Sequence, residues 1–262
     1  MVGDRNQDTY AAAHIVRHYA QLGALQPAEK TVLDLLRDRL PGMNMLDIGV
    51  GGGRTTKHFA AIVADYTGID YSDVMIAACK KRFAGASPTV QFAVCDARDL
   101  SRFKDNSFDL ILFSFNGIDY MSHADRLQVF QEVRRVGKPG SYFFFSSHNL
   151  LGFEHAFSVR KQFSRNPFKT YVNLVMLAVL RCFNPSMTLQ QLNASAYVVV
   201  RDESHNFRLQ TYYVRPQEQL SQLEPGFSKI TIYSWKSGLN LRDTCELLAN
   251  EDLWLYYLCV ID

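Results

Sequence analysis

Glycine vanishes from the middle of this 262-residue chain. Thirteen of its 15 glycines lie in residues 1–152 and none occurs between Phe153 and Pro225, so a turn-rich region gives way to a segment of a different kind. Cysteine is sparse: Cys79, Cys95, Cys182, Cys245 and Cys259 are scattered, odd in number and form no Cys-x-x-Cys. That argues against a disulfide framework or a structural zinc site and makes the cytoplasm the expected location. No apolar segment follows Met1 that would read as a secretory signal. The longest apolar run, Tyr171 to Phe183, is broken by Asn173 and Arg181 and is shorter than the roughly 20 residues of a membrane span. Neither sign of charge dominates. With 28 Lys and Arg against 26 Asp and Glu, the chain is not expected to bind nucleic acid. No His, Cys, Asp or Glu spacing fits a metal site, and no G-x-S-x-G elbow of a serine hydrolase follows a strand.

What remains is globular composition, 47% hydrophobic and 21% charged, which excludes disordered, collagen-like and coiled-coil chains. The length fits one large α/β domain or two small ones. Thr9–Leu22 reads as a helix with Ile15 and Tyr19 on one face, and a second helix runs from Pro27 to about Leu40. Strands over Met43–Ile48, Asp65–Ile69, Val90–Val94, Phe108–Phe115 and Tyr142–Ser147 then alternate with helices over Arg54–Ile62, Ser72–Phe83 and Ala124–Val136. Apolar strands alternating with amphipathic helices predict βαβ units and a parallel sheet covered on both faces. From Leu150 to about Arg215 the alternation stops. That stretch reads as one or two helices (roughly 153–163 and 170–182) and a hairpin around Asp202–Asn206. A helix at Gln217–Leu223, a strand at Ser228–Tyr233, a helix near Leu241–Ala249 and a strand at Leu253–Val260 complete the same sheet.

The chemistry concentrates in Met45-Leu46-Asp47-Ile48-Gly49-Val50-Gly51-Gly52-Gly53-Arg54. A strand ends, glycines follow where a ligand approaches the backbone closely, and a helix start offers free N–H groups. Asp70 ends the next strand, where a carboxylate can accept both hydroxyls of a ribose. Asp96 follows the third strand, in position to face an adenine. The spacing is not that of a dinucleotide site, because the sixth position from Gly49 is Arg54 rather than Gly. No Walker lysine follows the turn either.

The run LDIGVGGGR resembles motif I of class I S-adenosylmethionine-dependent methyltransferases. Further matches fall in the right order: YTGIDYS, AVCDARDL, FDLILFSFNGIDY and VRRVGKPGSYFFFSSHN. The resemblance implies an α/β fold with a Rossmann-like seven-stranded sheet, mostly parallel with the last strand antiparallel, and helices on both faces. In one domain it places cap helices at 1–40, the cofactor core at 41–150, an inserted substrate lid at 151–215 between strands five and six, and the completion of the sheet at 216–262. It further implies S-adenosylmethionine as cofactor and S-adenosylhomocysteine as product, with no metal. Gly49 and Gly51 would pack the methionine part, Asp47 orient the turn, Asp70 hold the ribose and Tyr71 lie beside the adenine. Asp96 and the Ala97 N–H would read the adenine, and Ser114 to Asn116 would pass under the methionyl amine. Arg54 is either a solvated helix-start residue or a carboxylate contact.

On the acceptor side His148, at the end of the fifth strand, is the candidate general base; the other reading is that His148 and Asn149 cap the strand. Asn149, His155 and Tyr19 are the further substrate-contact candidates. His14, His18, His58 and His123 read as solvated helix positions, and His205 as a loop residue. Asn116 is followed by Gly117-Ile118 rather than Pro-Pro-[Tyr/Phe], a departure from amino-methylating nucleic-acid and protein-glutamine enzymes. Residues 151–200 carry Arg160, Lys161, Arg165, Lys169 and Arg181 against Glu154 alone, which fits an anionic small-molecule acceptor. Tyr171–Phe183 has apolar surface for packing on the lid, for lipid contact or for a homodimer partner. The expected activity is methyl transfer to oxygen (hydroxyl or carboxylate) of a natural product, sugar or peptide. The alternatives are a small-molecule N-methyltransferase and a cofactor-binding regulatory partner without transfer activity.

Overall fold

The computed structural model describes residues 23–262. The helix expected over Thr9–Leu22 lies outside the described residues, and with it Tyr10, His14, Arg17, His18 and Tyr19.

The chain enters through α1 (Pro27–Leu36), started by Pro27 and a capping box in which the Gln26 N–H donates to Glu29. β1 (Asn44–Ile48), α2 (Thr56–Phe59), β2 (Asp65–Asp70), α3 (Asp73–Arg82), β3 (Val90–Val94), β4 (Phe108–Phe113), α4 (His123–Val136) and β5 (Gly137–Asn149) follow. Ser72 caps α3, its Oγ accepting from the Met75 N–H, as the sequence predicts. α2 is a single turn rather than the longer helix expected from Arg54, because Gly49, Gly51 and Gly53 all hold positive φ and the turn consumes residues up to Thr55. β5 begins directly after α4, and Pro139-Gly140 forms an irregularity within it instead of a loop before it.

After β5 come three α-helices, α5 (Leu150–Phe157), α6 (Pro167–Phe183) and α7 (Leu189–Ala194), then the expected hairpin of β6 (Tyr197–Val200) and β7 (Thr211–Val214). α8 (Pro216–Leu223), β8 (Phe227–Ser234), α9 (Thr244–Ala249) and β9 (Trp254–Ile261) close the chain. The seven expected strands form the order β3-β2-β1-β4-β5-β9-β8, parallel through β5 and antiparallel at β9 and β8. The insertion does more than cover this sheet. β7 pairs in parallel with His148 and Asn149 on the edge opposite β9, which still pairs with His148, so the hairpin extends the sheet where β4 leaves β5 after Phe145.

Alternation along the central strands fills two cores. Leu46, Ile111, Phe113, Phe143, Phe145, Tyr257 and Cys259 point to one face, Met45, Leu110, Leu112, Phe144, Tyr256 and Leu258 to the other. Phe145 stacks on Phe143 and Tyr257 at centroid distances of 4.7 and 5.1 Å. Phe145→Ala is expected to cost about 3–5 kcal/mol in denaturant unfolding; a loss below about 1 kcal/mol would contradict this packing.

Candidate active site

One cleft opens at the carboxyl ends of β1 to β4, with about 1300 Å³ of space including its mouth. Asp47, Gly49, Gly51, Asp70, Tyr71, Asp96, Ala97 and Ser114 all line it, as do Arg54, Phe115 and Tyr120. Asn116 is not among the lining residues, although Phe115 and Gly117 on either side of it are.

Local chemistry fixes each element of the cleft. Gly49 has φ +66° and a Cβ there would meet the Phe113 ring at 3.1 Å; at Gly51 (φ +53°) only the Gly49 carbonyl comes near, at 3.9 Å. Both positions need glycine, one for conformation and space, the other for conformation alone. Asp70 is buried and accepts from the N–H of Gly51 at 3.0 Å and of Ser72 at 2.9 Å, so one carboxylate ties the glycine turn to the start of α3. Burial raises its pKa, against those two hydrogen bonds. Asp47 accepts from Thr55 Oγ1 and Tyr66 OH, both at 2.5 Å, and so anchors the far end of the turn to β1 and β2. Asp96 sits half-exposed, held by the Arg98 guanidinium at 2.6 Å, which keeps its carboxyl below the usual range despite partial burial.

Arg54 proves to be a carboxylate contact within the protein. It is buried, forms a two-pronged pair with Glu29 of α1 (Nη2 to Oε1, 2.6 Å) and lies 4.9 Å from the centroid of Phe115. Ser114 Oγ also donates to Glu29.

Beside the cleft, at the end of β5, His148 Nδ1 stands 2.7 Å from Asp119 Oδ2, and the His148 N–H donates to the same oxygen at 2.6 Å. Asp119 is completely buried and also accepts from Ser147 Oγ (2.8 Å) and from Arg126, itself fully buried, held by Gln219 at 2.6 Å and 4.5 Å from the centroid of Tyr212. With Nδ1 donating, the neutral ring carries its lone pair on Nε2. That atom faces Asn116 Nδ2 at 3.3 Å. Tyr213 of the inserted hairpin packs against the imidazole at 4.8 Å, and Tyr120, which lines the cleft, meets it edge-on at 6.3 Å. Among the described residues, Asn116 Oδ1 and Trp254 Nε1 are buried without a hydrogen-bond partner, and the Trp254 ring lies 6.0 Å from His148.

The remaining candidates lie elsewhere. Asn149 caps α5, accepting from the Leu151 N–H and donating to the carbonyls of Asn250 and Asp252. His155 pairs with Glu251 at 2.5 Å, and none of His148, Asn149 and His155 is among the residues that line the cleft. The cations Arg160, Lys161, Arg165, Lys169 and Arg181 are absent from the cleft lining as well. His123 is not solvated: it stacks on Tyr197 at 4.6 Å and its Nδ1 meets Tyr212 OH at 2.8 Å.

Residues 45–140 match the family model described as a methyltransferase domain. That stretch thus carries a methyltransferase domain. It is 30% identical over 166 residues to a demethylmenaquinone methyltransferase of Renibacterium salmoninarum, covering 62% of this chain and 59% of that protein. It is 34% identical over 103 residues to a ubiquinone/menaquinone biosynthesis C-methyltransferase of Burkholderia mallei, covering 38% of this chain and 41% of that one. The aligned stretches thus span about half the length of these relatives. In fold it is similar to a 1,6-didemethyltoxoflavin-N1-methyltransferase of Burkholderia thailandensis solved with S-adenosylhomocysteine (TM-score 0.61, 14% identity, 98% of this chain and 86% of that one).

Around this site the sequence does not reveal Glu29, Asp119 and Arg126, whose partners are 25, 29 and 93 positions away. Their one visible trace is a polar residue on an otherwise apolar face. A pH test follows from Asp47. Burial pushes its carboxyl from 3.8 up to about 6, against the opposing effects of Thr55, Tyr66 and Arg54. A carboxyl raised in this way adds stability that is complete below the unfolded value and lost as pH rises through the folded one. The parent protein is therefore expected to gain on Asp47→Asn as pH falls from about 7 to about 5. Melting temperatures of both across that window check it; a gap that stays flat or narrows on acidification contradicts it.

Proposed function

We propose that this domain transfers a methyl group from S-adenosylmethionine to an oxygen of a small-molecule acceptor, with His148 accepting the acceptor's proton. The supporting observation is the His148–Asp119 pair: a buried imidazole whose Nδ1 is committed to a carboxylate and whose Nε2 faces the side of the site where Tyr120 and Asn116 sit.

The cleft fits the cofactor on its own terms. It offers a buried carboxylate at Asp70, backbone exposed by glycines at 49 and 51, and a second carboxylate at Asp96 on the rim. Asp70 would hold the ribose hydroxyls, Gly49 and Gly51 the methionine part with Asp47 fixing their turn. Tyr71, Asp96 and Ala97 would hold the adenine, and the backbone at Ser114 to Asn116 the methionyl amine. When bound, the cofactor supplies an electrophilic methyl on a sulfonium, whose departure leaves a neutral thioether. The protein's part is alignment and proton removal. Asp119 holds the imidazole in the tautomer whose Nε2 lone pair, which accepts from Asn116 Nδ2, would take the acceptor's proton when the acceptor displaces that amide, and the developing imidazolium would lie beside the carboxylate. Arg126, locked on Asp119 by Gln219 and Ser147, keeps the carboxylate in place. The buried Asn116 Oδ1 and Trp254 Nε1 are the polar groups an acceptor would satisfy.

A second reading has one specific support, the 34% identity to a C-methyltransferase. There His148 would take the proton of a ring hydroxyl, the ring carbon would receive the methyl as the thioether leaves, and that carbon's own hydrogen would then pass to the ring oxygen to restore the hydroxyl. The base is shared, so the bond formed is decided by the acceptor.

Asp70→Ala is expected to weaken S-adenosylhomocysteine binding in calorimetry by about 10²-fold, the loss of two charge-assisted hydrogen bonds. Near-parent affinity would remove the ribose assignment. His148→Gln should lower turnover of a hydroxyl acceptor by about 10²–10⁴ while cofactor affinity stays within about twofold. Unchanged turnover would end the base role, whatever the cofactor result.

A further inference from the structure

Helix α6 turns its apolar face outward. Phe168, Tyr171, Val172, Val175 and Met176 follow an i, i+3, i+4, i+7, i+8 stripe, and all five are exposed, Phe168 at 74% and Tyr171 at 66%. Leu177 and Leu180, on the opposite side of the 17-residue helix, are its buried residues. Phe163, 66% exposed, extends the patch past the N-terminal end, and Phe183, the last residue of the helix, is exposed beside its stacking partner Phe207. A helix on a globular surface ordinarily buries such a stripe, and a contiguous exposed apolar patch marks an interaction surface.

Charge identifies the partner. Between His155 and Arg201 the chain has no Asp or Glu. Lys161 is engaged by Glu251, whereas Arg160, Arg165 and Lys169, at the aromatic end of the stripe, form no ion pair among the described residues. A second copy docked on this stripe would meet a surface with these same cations and no acid within the segment, an arrangement that like-charge repulsion disfavours. An anionic lipid surface answers both features, with acyl chains for the stripe and headgroup phosphates for the cations.

We propose that the chain docks on anionic membrane surfaces through Phe163 and α6, the helix lying in the plane of the lipid interface. Among the described residues no helix is long and apolar enough to cross a membrane, so α6 lies on the bilayer rather than through it. This surface is separate from the cleft, and the inference is independent of the acceptor chemistry proposed above.

The test is sedimentation of the full chain with vesicles of phosphatidylcholine containing about 30% phosphatidylglycerol, against phosphatidylcholine alone. The protein is expected to sediment with the anionic vesicles and to be released by salt. Phe168→Ser/Tyr171→Ser/Val175→Ser and, separately, Arg165→Glu/Lys169→Glu should each reduce partitioning at least about tenfold. All five side chains are exposed, so unchanged melting temperatures are expected alongside. Failure of the parent protein to bind anionic vesicles, or equal binding by the apolar and charge variants, overturns the proposal. So does a dimer in sedimentation velocity that the triple variant abolishes while no vesicle binding is seen, which assigns the face to a second copy.

Discussion

A carboxylate withdrawn from water must find donors inside the protein or lose its charge. Of the carboxylates buried among the described residues, four at or beside the carboxyl edge of this sheet each gather a different part of the chain around the cleft. Asp47 collects Thr55 and Tyr66, closing the glycine turn. Asp70 collects the N–H groups of Gly51 and Ser72 and so sets that turn against α3. Glu29 collects Arg54 and Ser114, bringing α1 down onto the cleft. Asp119 collects His148, Ser147 and Arg126, and through Arg126 it reaches Gln219 of α8 and Tyr212 of the inserted hairpin.

This arrangement divides the labour of the site. The Asp47 and Asp70 clusters rigidify the backbone that the proposed cofactor would approach, so the glycines there give access without slack. The Asp119 cluster instead orients one side chain, His148, and does so from the same strand edge. The topology makes the meeting unavoidable. β1, β4 and β5 are neighbours in the sheet, so the loops leaving β1 and β4 lie next to the end of β5. The inserted hairpin adds Tyr213 to the far side of the imidazole because β7 continues the sheet there.

The glycine turn and the carboxylates that line the cleft are legible in the sequence because their determinants are local. Glycines after a strand, and carboxylates at the ends of the next two, show in spacing alone. The strand set was legible for the same reason, through alternation and apolar runs. Glu29, Asp119 and Arg126 were not, because a lone polar residue in an amphipathic helix or a loop looks the same whether it faces water or a buried partner. Arg54 is ambiguous in the sequence because Glu29, its partner, lies 25 positions away. The sequence counts the cations of the segment without glycine but does not place them. Arg160, Arg165 and Lys169 flank the outward face of α6 and do not line the cleft. Helical periodicity shows that α6 has an apolar face; which way that face turns depends on how few residues, Leu177 and Leu180, anchor it to the rest.

The central claim, that the carboxyl edge of this sheet holds S-adenosylmethionine with its methyl directed toward the His148–Asp119 pair, is tested most directly by a crystal structure of the chain with S-adenosylhomocysteine. The expected result is a ribose bonded to Asp70, an adenine between Tyr71 and Asp96, and a sulfur opening on the side of Tyr120 and His148. A ribose held without Asp70, or a sulfur facing away from His148, would contradict it.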